Sequence, residues 1–257
     1  MVYGNAEATF QQARYAKLAE AFEKDFSENA DLRFFSAPGR TEIGGNHTDH
    51  QNGCVLAAAV DLETVATVWV DDSSLIQIDS EGYPVIAVDL NELDVREDEK
   101  NTTASLIRGI ASAFVQRGAK LSGFRAKVKS TVLPGSGLSS SAAFEVLIGT
   151  ILNELFFEKK LSAIEIAQIG QYAENVYFGK PCGLMDQMAS SVGGMVYIDF
   201  EDPEKPKVQK LEADLETFGY GLCIIDTGAD HADLTDEYAA IPGELAQLCQ
   251  FFGKKYL

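Results

Sequence analysis

The sequence is poor in basic residues, and this charge balance is the first constraint on what the protein does. Lysine and arginine number 21 against 39 aspartates and glutamates in 257 residues, which gives a formal net charge of −18. A surface that acidic repels phosphate backbones and anionic lipids, so we expect no nucleic acid and no membrane as a partner. A phosphorylated small molecule is still compatible with this charge, because a metal ion and a few local donors can outweigh the overall field.

Cysteine is scarce and long apolar runs are missing. No C-x-x-C pair occurs among the four cysteines, Cys54, Cys182, Cys223 and Cys249. This spacing argues against a disulfide framework or a zinc site and is typical of a reducing compartment. No stretch approaches the ~18 apolar residues of a membrane-spanning helix, and the first residues lack the pattern of a signal peptide. We therefore expect a cytoplasmic protein, and its oligomeric state is left open.

Helix-like and strand-like patterns are mixed along the chain. Apolar residues make up 46% and charged residues 23% of the sequence, which is ordinary for a globular protein. Apolar positions three and four apart predict helices at about 4–26, 104–117, 142–157 and 163–174. Apolar and β-branched runs predict strands at about 33–36, 65–70, 75–78, 85–88, 124–130, 195–200 and 220–225, with a turn at 37–39. This mixture indicates an α+β or α/β protein.

A glycine-serine segment lies between a predicted strand and a predicted apolar helix. Its residues are Gly135, Ser136, Gly137, Leu138, Ser139, Ser140 and Ser141. Glycines let the backbone approach a ligand closely, and the free amides at a helix start attract an anion such as phosphate. The segment is not a Walker A loop, because no Gly-Lys-Ser/Thr follows it. Taken alone, an ordinary helix cap and turn is the more common explanation.

Two further segments carry polar groups in unusual settings. Residues 39–50 place an arginine, two histidines, an aspartate and an asparagine in a glycine-rich stretch, and such side chains suit sugar hydroxyls and phosphate. A metal site on His47, Asp49 and His50 is the less favoured alternative, because no further ligand stands at a familiar spacing. For this segment, a solvated polar loop is the default interpretation.

In the other segment, Glu174 ends a predicted helix and Asp186 follows among apolar neighbours. Asp186 is then either a helix cap or a functional carboxylate.

Taken together and in this order, these segments resemble the GHMP kinases, and within them the galactokinases. Residues 37–49 resemble the galactokinase signature, which ends in Glu-His-Thr-Asp, and residues 135–142 resemble the family's Gly-x-Gly-Leu-Ser-Ser-Ser-Ala ATP loop. Glu174, followed by Cys-Gly-Leu-Met-Asp-Gln around Asp186, resembles the third landmark of the family. The resemblance covers about 33–194.

The resemblance implies a small-molecule sugar as substrate, with ATP and Mg²⁺ as cofactors. Residues 135–141 would wrap the ATP phosphates, and Ser141 and Glu174 would complete the Mg²⁺ shell. Asp186 would accept the proton of the sugar hydroxyl, while Arg40 would neutralise charge on the transferring phosphoryl group. We therefore expect Asp186 within a few ångströms of Arg40. The implied sugar contacts are Asn46, His47, Thr48, Asp49, Gly183 and Tyr238.

The activity that the resemblance implies is transfer of the ATP γ-phosphoryl group to the anomeric hydroxyl of galactose or a related sugar. Asn46 stands where galactokinases usually carry a glutamate, and Glu42 stands where they usually carry an asparagine. This difference favours, as an alternative, a GHMP kinase for another sugar or alcohol. A galactokinase-like sensor that binds sugar and ATP is the third alternative.

The resemblance also implies the architecture. We expect an α+β fold, with the GHMP kinase N-terminal domain (ribosomal protein S5 domain 2-like) at 1–205 and the incomplete beginning of a second α/β domain at 206–257. Pro242 suits the first position of a helix, and an apolar stripe follows it at Leu245, Leu248, Phe251 and Phe252. Nothing after the stripe would cover it, so we expect a fragment or a short form that lacks most of the family's C-terminal domain.

Overall fold

The structure is a computed structural model that describes residues 5–25, 31–213, 215–225 and 235–256. The strands in this part of the chain are β1 Arg33–Gly44, β2 Cys54–Val70, β3 Leu75–Ser80, β4 Ile86–Asp89, β5 Phe124–Ser130, β6 Met195–Asp199 and β7 Lys207–Leu211. The α-helices are α1 Asn5–Asp25, α2 Thr103–Gln116, α3 Ser140–Phe156, α4 Ala163–Tyr172, α5 Met185–Val192 and α6 Thr235–Phe251. A 3₁₀ turn covers Thr48–Gln51, and a π-helical segment, Ala173–Phe178, continues α4.

The strands form one sheet of seven, in the order β4-β3-β5-β2-β6-β7, with β1 paired to β2. All pairs are antiparallel except β3 with β5. The 17-residue strand β2 is the centre of the sheet, because it pairs with β1, β5 and β6. Residues 63–68, in the second half of β2, are buried on both faces, as expected for a strand rich in alanine and β-branched residues.

The register between β1 and β2 shifts twice, between Pro38 and Arg40 and between Glu42 and Gly44. Such irregularities bend a strand and re-aim its side chains, and they occur often beside functional sites. Between the two shifts, the alternation of a strand places Arg40 and Glu42 on the same face.

Helices α2 and α3 bury their apolar sides in the main core. Ile107, Ile110 and Phe114 of α2 and Leu147, Ile148 and Ile151 of α3 are fully buried there, together with Ile76 and Phe124 of the sheet. The helix starts have local causes: Thr102 caps α2 by accepting a hydrogen bond from the Ser105 amide, and Ser162 and Glu165 form a capping box at α4. This core holds the middle of α3 against the sheet, and Ala143 in its first turn packs in a separate cluster with Val132 and Leu138.

The mixed architecture predicted from the sequence is confirmed, with three local corrections. The predicted turn at 37–39 lies inside β1, because proline is tolerated in a strand at a bulge. The 220–225 segment forms no strand, since it is exposed and pairs with none of the described strands. Helix α6 begins at Thr235, so Pro242 lies inside that helix and not at its first position.

The predicted domain boundary at 205/206 stays a prediction. Strand β7 lies after that boundary and pairs with β6, so the sheet continues to Leu211. Among the described helices, none is long and apolar enough to cross a membrane.

Candidate active site

The three segments singled out in the sequence converge on one pocket of about 590 Å³. Strand β1 and the 3₁₀ turn supply one side, the glycine-serine segment and the start of α3 supply another, and the π-helical segment with the start of α5 completes it. The lining residues are Arg40, Thr41, Glu42, His47, Asp49, Gly137, Ser139, Ser141, Glu174, Lys180, Cys182, Gly183 and Asp186.

A bidentate ion pair between Arg40 and Asp186 lies at the centre of the site. Arg40 Nε donates to Asp186 Oδ1 at 2.7 Å, and Arg40 Nη2 donates to Asp186 Oδ2 at 2.6 Å. The remaining guanidinium nitrogen, Nη1, donates to the Gly137 carbonyl at 2.5 Å, and the Arg40 amide donates to the Leu138 carbonyl at 3.0 Å. One residue therefore ties β1, the glycine-serine segment and α5 together, as the planar fork of arginine allows.

The ion pair determines the charge state of Asp186. Burial alone would raise the pKa of this carboxyl, but the Arg40 charge and the hydrogen bonds from Arg40 and Ser139 hold the pKa below its usual range. Asp186 is therefore ionised at neutral pH and accepts hydrogen bonds only.

The glycine-serine segment leads its amides into the start of α3. Gly137 has φ +74°, and Ser139, the N-cap of α3, has φ 58°. The Ser139 side chain makes no capping bond to α3. Helix α3 is 17 residues long. The amides of its first turn and the positive end of its dipole lie on the side of the helix that faces the pocket. This arrangement suits an anion such as a phosphate group.

Glu174 brings a buried carboxylate to the same pocket. It lies in the π-helical segment, a geometry often found at functional sites. Burial raises the pKa of Glu174, and the hydrogen bonds and the Lys180 charge only partly offset it; the Lys180 Nζ lies 4.0 Å from Glu174 Oε1. Burial also raises the pKa of the Cys182 thiol well above its usual range. The Ser141 hydroxyl and the Glu174 carboxylate offer hard oxygen donors, which are the ligands that Mg²⁺ prefers.

Asp49 also lines the pocket and is held there by a backbone hydrogen bond and close packing. Its Oδ2 accepts a hydrogen bond from the Met185 amide at 3.1 Å, whereas its buried Oδ1 has no hydrogen-bond partner among the described residues. Gly183 packs so closely that a Cβ there would lie 1.9 Å from Asp49 Oδ2. A buried acceptor that lacks a donor is costly in a folded protein, and a ligand hydroxyl would satisfy it.

The Glu42 carboxylate also faces the pocket. It accepts hydrogen bonds from the His47 amide at 3.0 and 3.2 Å, and this fixes the turn in which His47 has φ 57°. The side chains of His47, Asp49 and His50 bring one ligand atom each within 4.8 Å of one another, so the geometry leaves the metal alternative open.

Not every predicted residue reaches the pocket. Asn46 is exposed and is absent from the lining residues, and the Thr48 hydroxyl donates to the Cys54 carbonyl at 2.7 Å. The Tyr238 side chain lies outside the described residues. Within the glycine-serine segment, the positions that do not line the pocket are Gly135, Ser136, Leu138 and Ser140. The roles predicted for all these residues stay predictions.

Four lining residues had no predicted role: Thr41, Glu42, Lys180 and Cys182. A signal for Glu42 was present in the sequence, because it stands two residues after Arg40 and would share its face if the segment were a strand. Because Pro38 and the glycines of the segment indicate a loop, the sequence did not show that Arg40 and Glu42 share a strand face.

Two family models match the chain. Residues 105–194 match the GHMP kinases N terminal domain, and residues 20–69 match the galactokinase galactose-binding signature. Among curated relatives, the galactokinase of Bacillus subtilis is 35% identical over 179 residues, which are 69% of this chain and 46% of that protein. The galactokinase of Streptomyces coelicolor is 32% identical over 207 residues, 79% of this chain and 52% of that protein.

Solved structures give the same picture. The galactokinase of Lactococcus lactis, complexed with galactose, matches with a TM-score of 0.69 at 28% identity, over 77% of this chain and 52% of that chain. The mevalonate kinase of Methanococcus jannaschii matches with a TM-score of 0.62 at 17% identity, over 84% of this chain and 69% of that chain, a likeness of fold alone.

The chain thus belongs to the GHMP kinase family, and its predicted GHMP kinase N-terminal fold is confirmed. Within that family, its sugar-binding signature and these curated relatives are those of galactokinases. The chain spans about half the length of the curated relatives it matches.

Gly183→Ala tests the packing around Asp49. The added methyl group collides with the Asp49 carboxylate, so we expect a loss of about 1–3 kcal/mol in the free energy of unfolding, as for other overpacked sites. The measurement is urea denaturation, with Gly44→Ala as the control, because a Cβ at Gly44 meets no atom within 4 Å. Equal denaturation midpoints for Gly183→Ala and the wild type would contradict the packing described here.

Arg40→Met tests the electrostatic control of Asp186. Burial remains in this variant while the opposing charge is lost, so the pKa of Asp186 should move from below to above its usual range. Carboxyl ¹³C NMR measures the titration, and Asp186→Asn identifies the signal. The contribution of Asp186 to stability should be lost as the pH falls below about 4 in the wild type, whereas in the variant it should be lost as the pH rises above about 4. An unchanged Asp186 titration would contradict the assignment.

Proposed function

We propose that the protein is an ATP-dependent sugar kinase that transfers the γ-phosphoryl group of ATP to the anomeric hydroxyl of galactose. The observation that carries the proposal is the Arg40–Asp186 ion pair, which joins the galactokinase-signature strand to α5. Arg40 also bonds the Gly137 and Leu138 carbonyls of the glycine-serine segment, and all four bonds measure 2.5–3.0 Å. The galactokinase relatives and the galactose complex of the Lactococcus lactis enzyme support the choice of sugar. The cytoplasmic location stays a prediction.

Asp186 is the catalytic base in this proposal. The sugar hydroxyl oxygen attacks the γ-phosphorus, the bond from that phosphorus to the bridging oxygen breaks, ADP leaves, and the hydroxyl proton passes to an Asp186 carboxylate oxygen. Its lowered pKa makes Asp186 a weak base. A weak base suffices because the transition state of phosphoryl transfer is loose, so the nucleophile needs orientation more than early deprotonation.

The chain's own groups position the phosphates. The first-turn amides of α3 and the glycine-serine backbone would hold the phosphate oxygens, and Arg40 would face the charge that spreads over the transferring group. Ser141 and Glu174 would hold Mg²⁺, which neutralises charge on the phosphate oxygens when it is bound. Lys180, 4.0 Å from Glu174, adds a second cation at this end of the pocket.

Asp49 and Glu42 are the carboxylates that the sugar would meet. Asp49 Oδ1, which accepts no hydrogen bond from the described residues and lies 3.8 Å from His47 Nδ1, suits a sugar hydroxyl, and His47 and Gly183 also line the pocket. Glu42 supplies the carboxylate that galactokinases usually carry at the position of Asn46. Compared with galactokinases, Glu42 and Asn46 have exchanged residue types, so the segment still holds one carboxylate and one amide. The carboxylate of Glu42 lies on the same strand face as Arg40.

The direct test is ADP release from MgATP with galactose, glucose and mannose, using Asp186→Asn as the blank. We expect turnover with galactose in the wild-type chain and a loss of at least about a hundredfold in Asp186→Asn, the scale of one acid–base group. MgATP affinity in that variant should stay near that of the wild type, because Asp186 faces the sugar.

Three outcomes count against the proposal. Turnover with another sugar alone would replace galactose as the substrate, and full turnover in Asp186→Asn would remove the base. Tight binding of both galactose and ATP, without turnover by this chain or by the full-length protein, would indicate a sensor.

Glu42→Gln tests the sugar contact separately. Glutamine keeps the shape of the side chain and one acceptor for the His47 amide, but it loses the negative charge that strengthens a hydrogen bond from a sugar hydroxyl. We expect galactose affinity, measured by calorimetry, to fall by about tenfold, which corresponds to 1.4 kcal/mol. Asn46→Ala is the control and should stay within about twofold of the wild type on the same scale. The reverse order of effects would return the sugar contact to Asn46.

A further inference from the structure

Three polar side chains are buried together at the pocket, and one of them, Glu174, lines it. Glu145 is 1% exposed, Glu174 is 5% exposed and Gln187 is 1% exposed. The Gln187 amide nitrogen donates to Glu145 Oε2 at 3.0 Å and to Glu174 Oε2 at 2.9 Å. The two hydrogens of the amide nitrogen allow it to donate to both carboxyl groups in this orientation. One amide group therefore bridges two carboxyl groups inside the protein.

This buried polar network lowers the stability of the fold. Glu145 Oε1 and Gln187 Oε1 are buried without a hydrogen-bond partner in the described part of the chain. A partly satisfied polar network is less stable than well-packed apolar side chains of similar size. Gly170 leaves room for the network, since a Cβ there would lie 3.1 Å from both Gln187 Cγ and Glu145 Oε2. The packing thus accommodates these groups at a cost, which indicates a functional use.

Each member of the network stands next to a residue of the proposed site. Glu145 lies one helical turn after Ser141 on α3, so the two share a helix face. Gln187 directly follows Asp186 on α5. Glu174 is itself the proposed Mg²⁺ ligand in the π-helical segment. The bridge consequently joins the three elements that carry Ser141, Glu174 and Asp186.

We propose that Glu145 and Gln187 are positioning residues, which hold the Glu174 carboxylate in the direction needed for the divalent cation of the nucleotide. This inference rests on the proposed function. Gln187 fixes one Glu174 oxygen through its amide, so that the other oxygen, Oε1, is directed toward the pocket side where Lys180 lies. Glu145 holds the second hydrogen of the same amide and prevents Gln187 from rotating away. Hydrogen-bonded partners behind a metal ligand commonly set its orientation.

The experiment measures binding of Mn²⁺–ATP to the protein by equilibrium dialysis, with the protein-free compartment giving the unbound complex. In the 257-residue chain, Gln187→Leu and Glu145→Leu should each weaken Mn²⁺–ATP binding by about tenfold or more, as for other residues behind a metal ligand. Glu145→Gln should stay within about twofold of the wild type, since an amide at that position still offers an acceptor to Gln187. The matched control is Asn153→Leu, a buried polar residue at the far end of α3 that bonds the Leu161 backbone. It should lose stability without losing Mn²⁺–ATP affinity.

Each result decides the inference. Wild-type affinity in Gln187→Leu or Glu145→Leu would overturn it, as would an equal loss in Glu145→Gln or in Asn153→Leu. If the leucine variants do not fold, Gln187→Asn takes their place, because it keeps the amide but withdraws it by one methylene group from both carboxyls. A folded wild-type chain that does not bind Mn²⁺–ATP would overturn the proposed function, and the inference with it. Binding in the wild type with no loss in the variants would overturn the inference alone.

Discussion

The Arg40–Asp186 ion pair is the interaction on which the rest of the site depends. Arg40 lies in the stretch of β1 between the two register shifts, and its side chain reaches Asp186 from there. It is held there by its own hydrogen bonds to the Gly137 and Leu138 carbonyls. The pair keeps Asp186 ionised despite burial, and it fixes the distance between the glycine-serine segment and α5. The pairing with Arg40 therefore sets both the position and the charge state of Asp186.

The balance of charge in the pocket explains how so acidic a chain can be matched to a nucleotide. Four carboxyl groups line the pocket, on Glu42, Asp49, Glu174 and Asp186, against two fixed cations, Arg40 and Lys180. With the overall charge of −18 added, ATP on its own would be repelled. In the proposed function, a divalent cation held by Glu174 would reverse this local balance. The proposed need for a metal would then follow from the charges of this chain, and the proposed role of the buried Gln187 bridge is to direct the Glu174 carboxylate toward that metal.

Much of the fold and of the site was accessible from the sequence, because the signals were local. Helical spacing predicted α1 to α4, and the glycine-serine segment indicated where α3 begins. The predicted closeness of Arg40 and Asp186 depends on two motifs 146 residues apart, and only the family resemblance connected them. The parts that failed were set by tertiary contacts. Pro38 and Gly39 look like a turn but lie in a strand, because pairing with β2 overrides the local preference.

The same reason explains the residues that were missed. Glu42 enters the pocket through the alternation of that unrecognised strand. Glu145 reads as an ordinary helix residue, and only its burial beside Gln187 and Glu174 reveals a polar network. Asn46 has the chemistry of a sugar contact but is exposed, since the turn after β1 takes it away from the pocket. Residue type alone cannot distinguish these cases, because direction is decided by the backbone around each side chain.

The most direct test of the account is a ³¹P NMR time course of the protein with MgATP and galactose. The account predicts that the γ-phosphate signal of ATP falls while a phosphomonoester signal coupled to the anomeric proton of the sugar grows at the same rate. Release of inorganic phosphate alone, or a phosphate ester at another hydroxyl, would contradict it, because Asp186 would then not direct the anomeric oxygen at the γ-phosphorus.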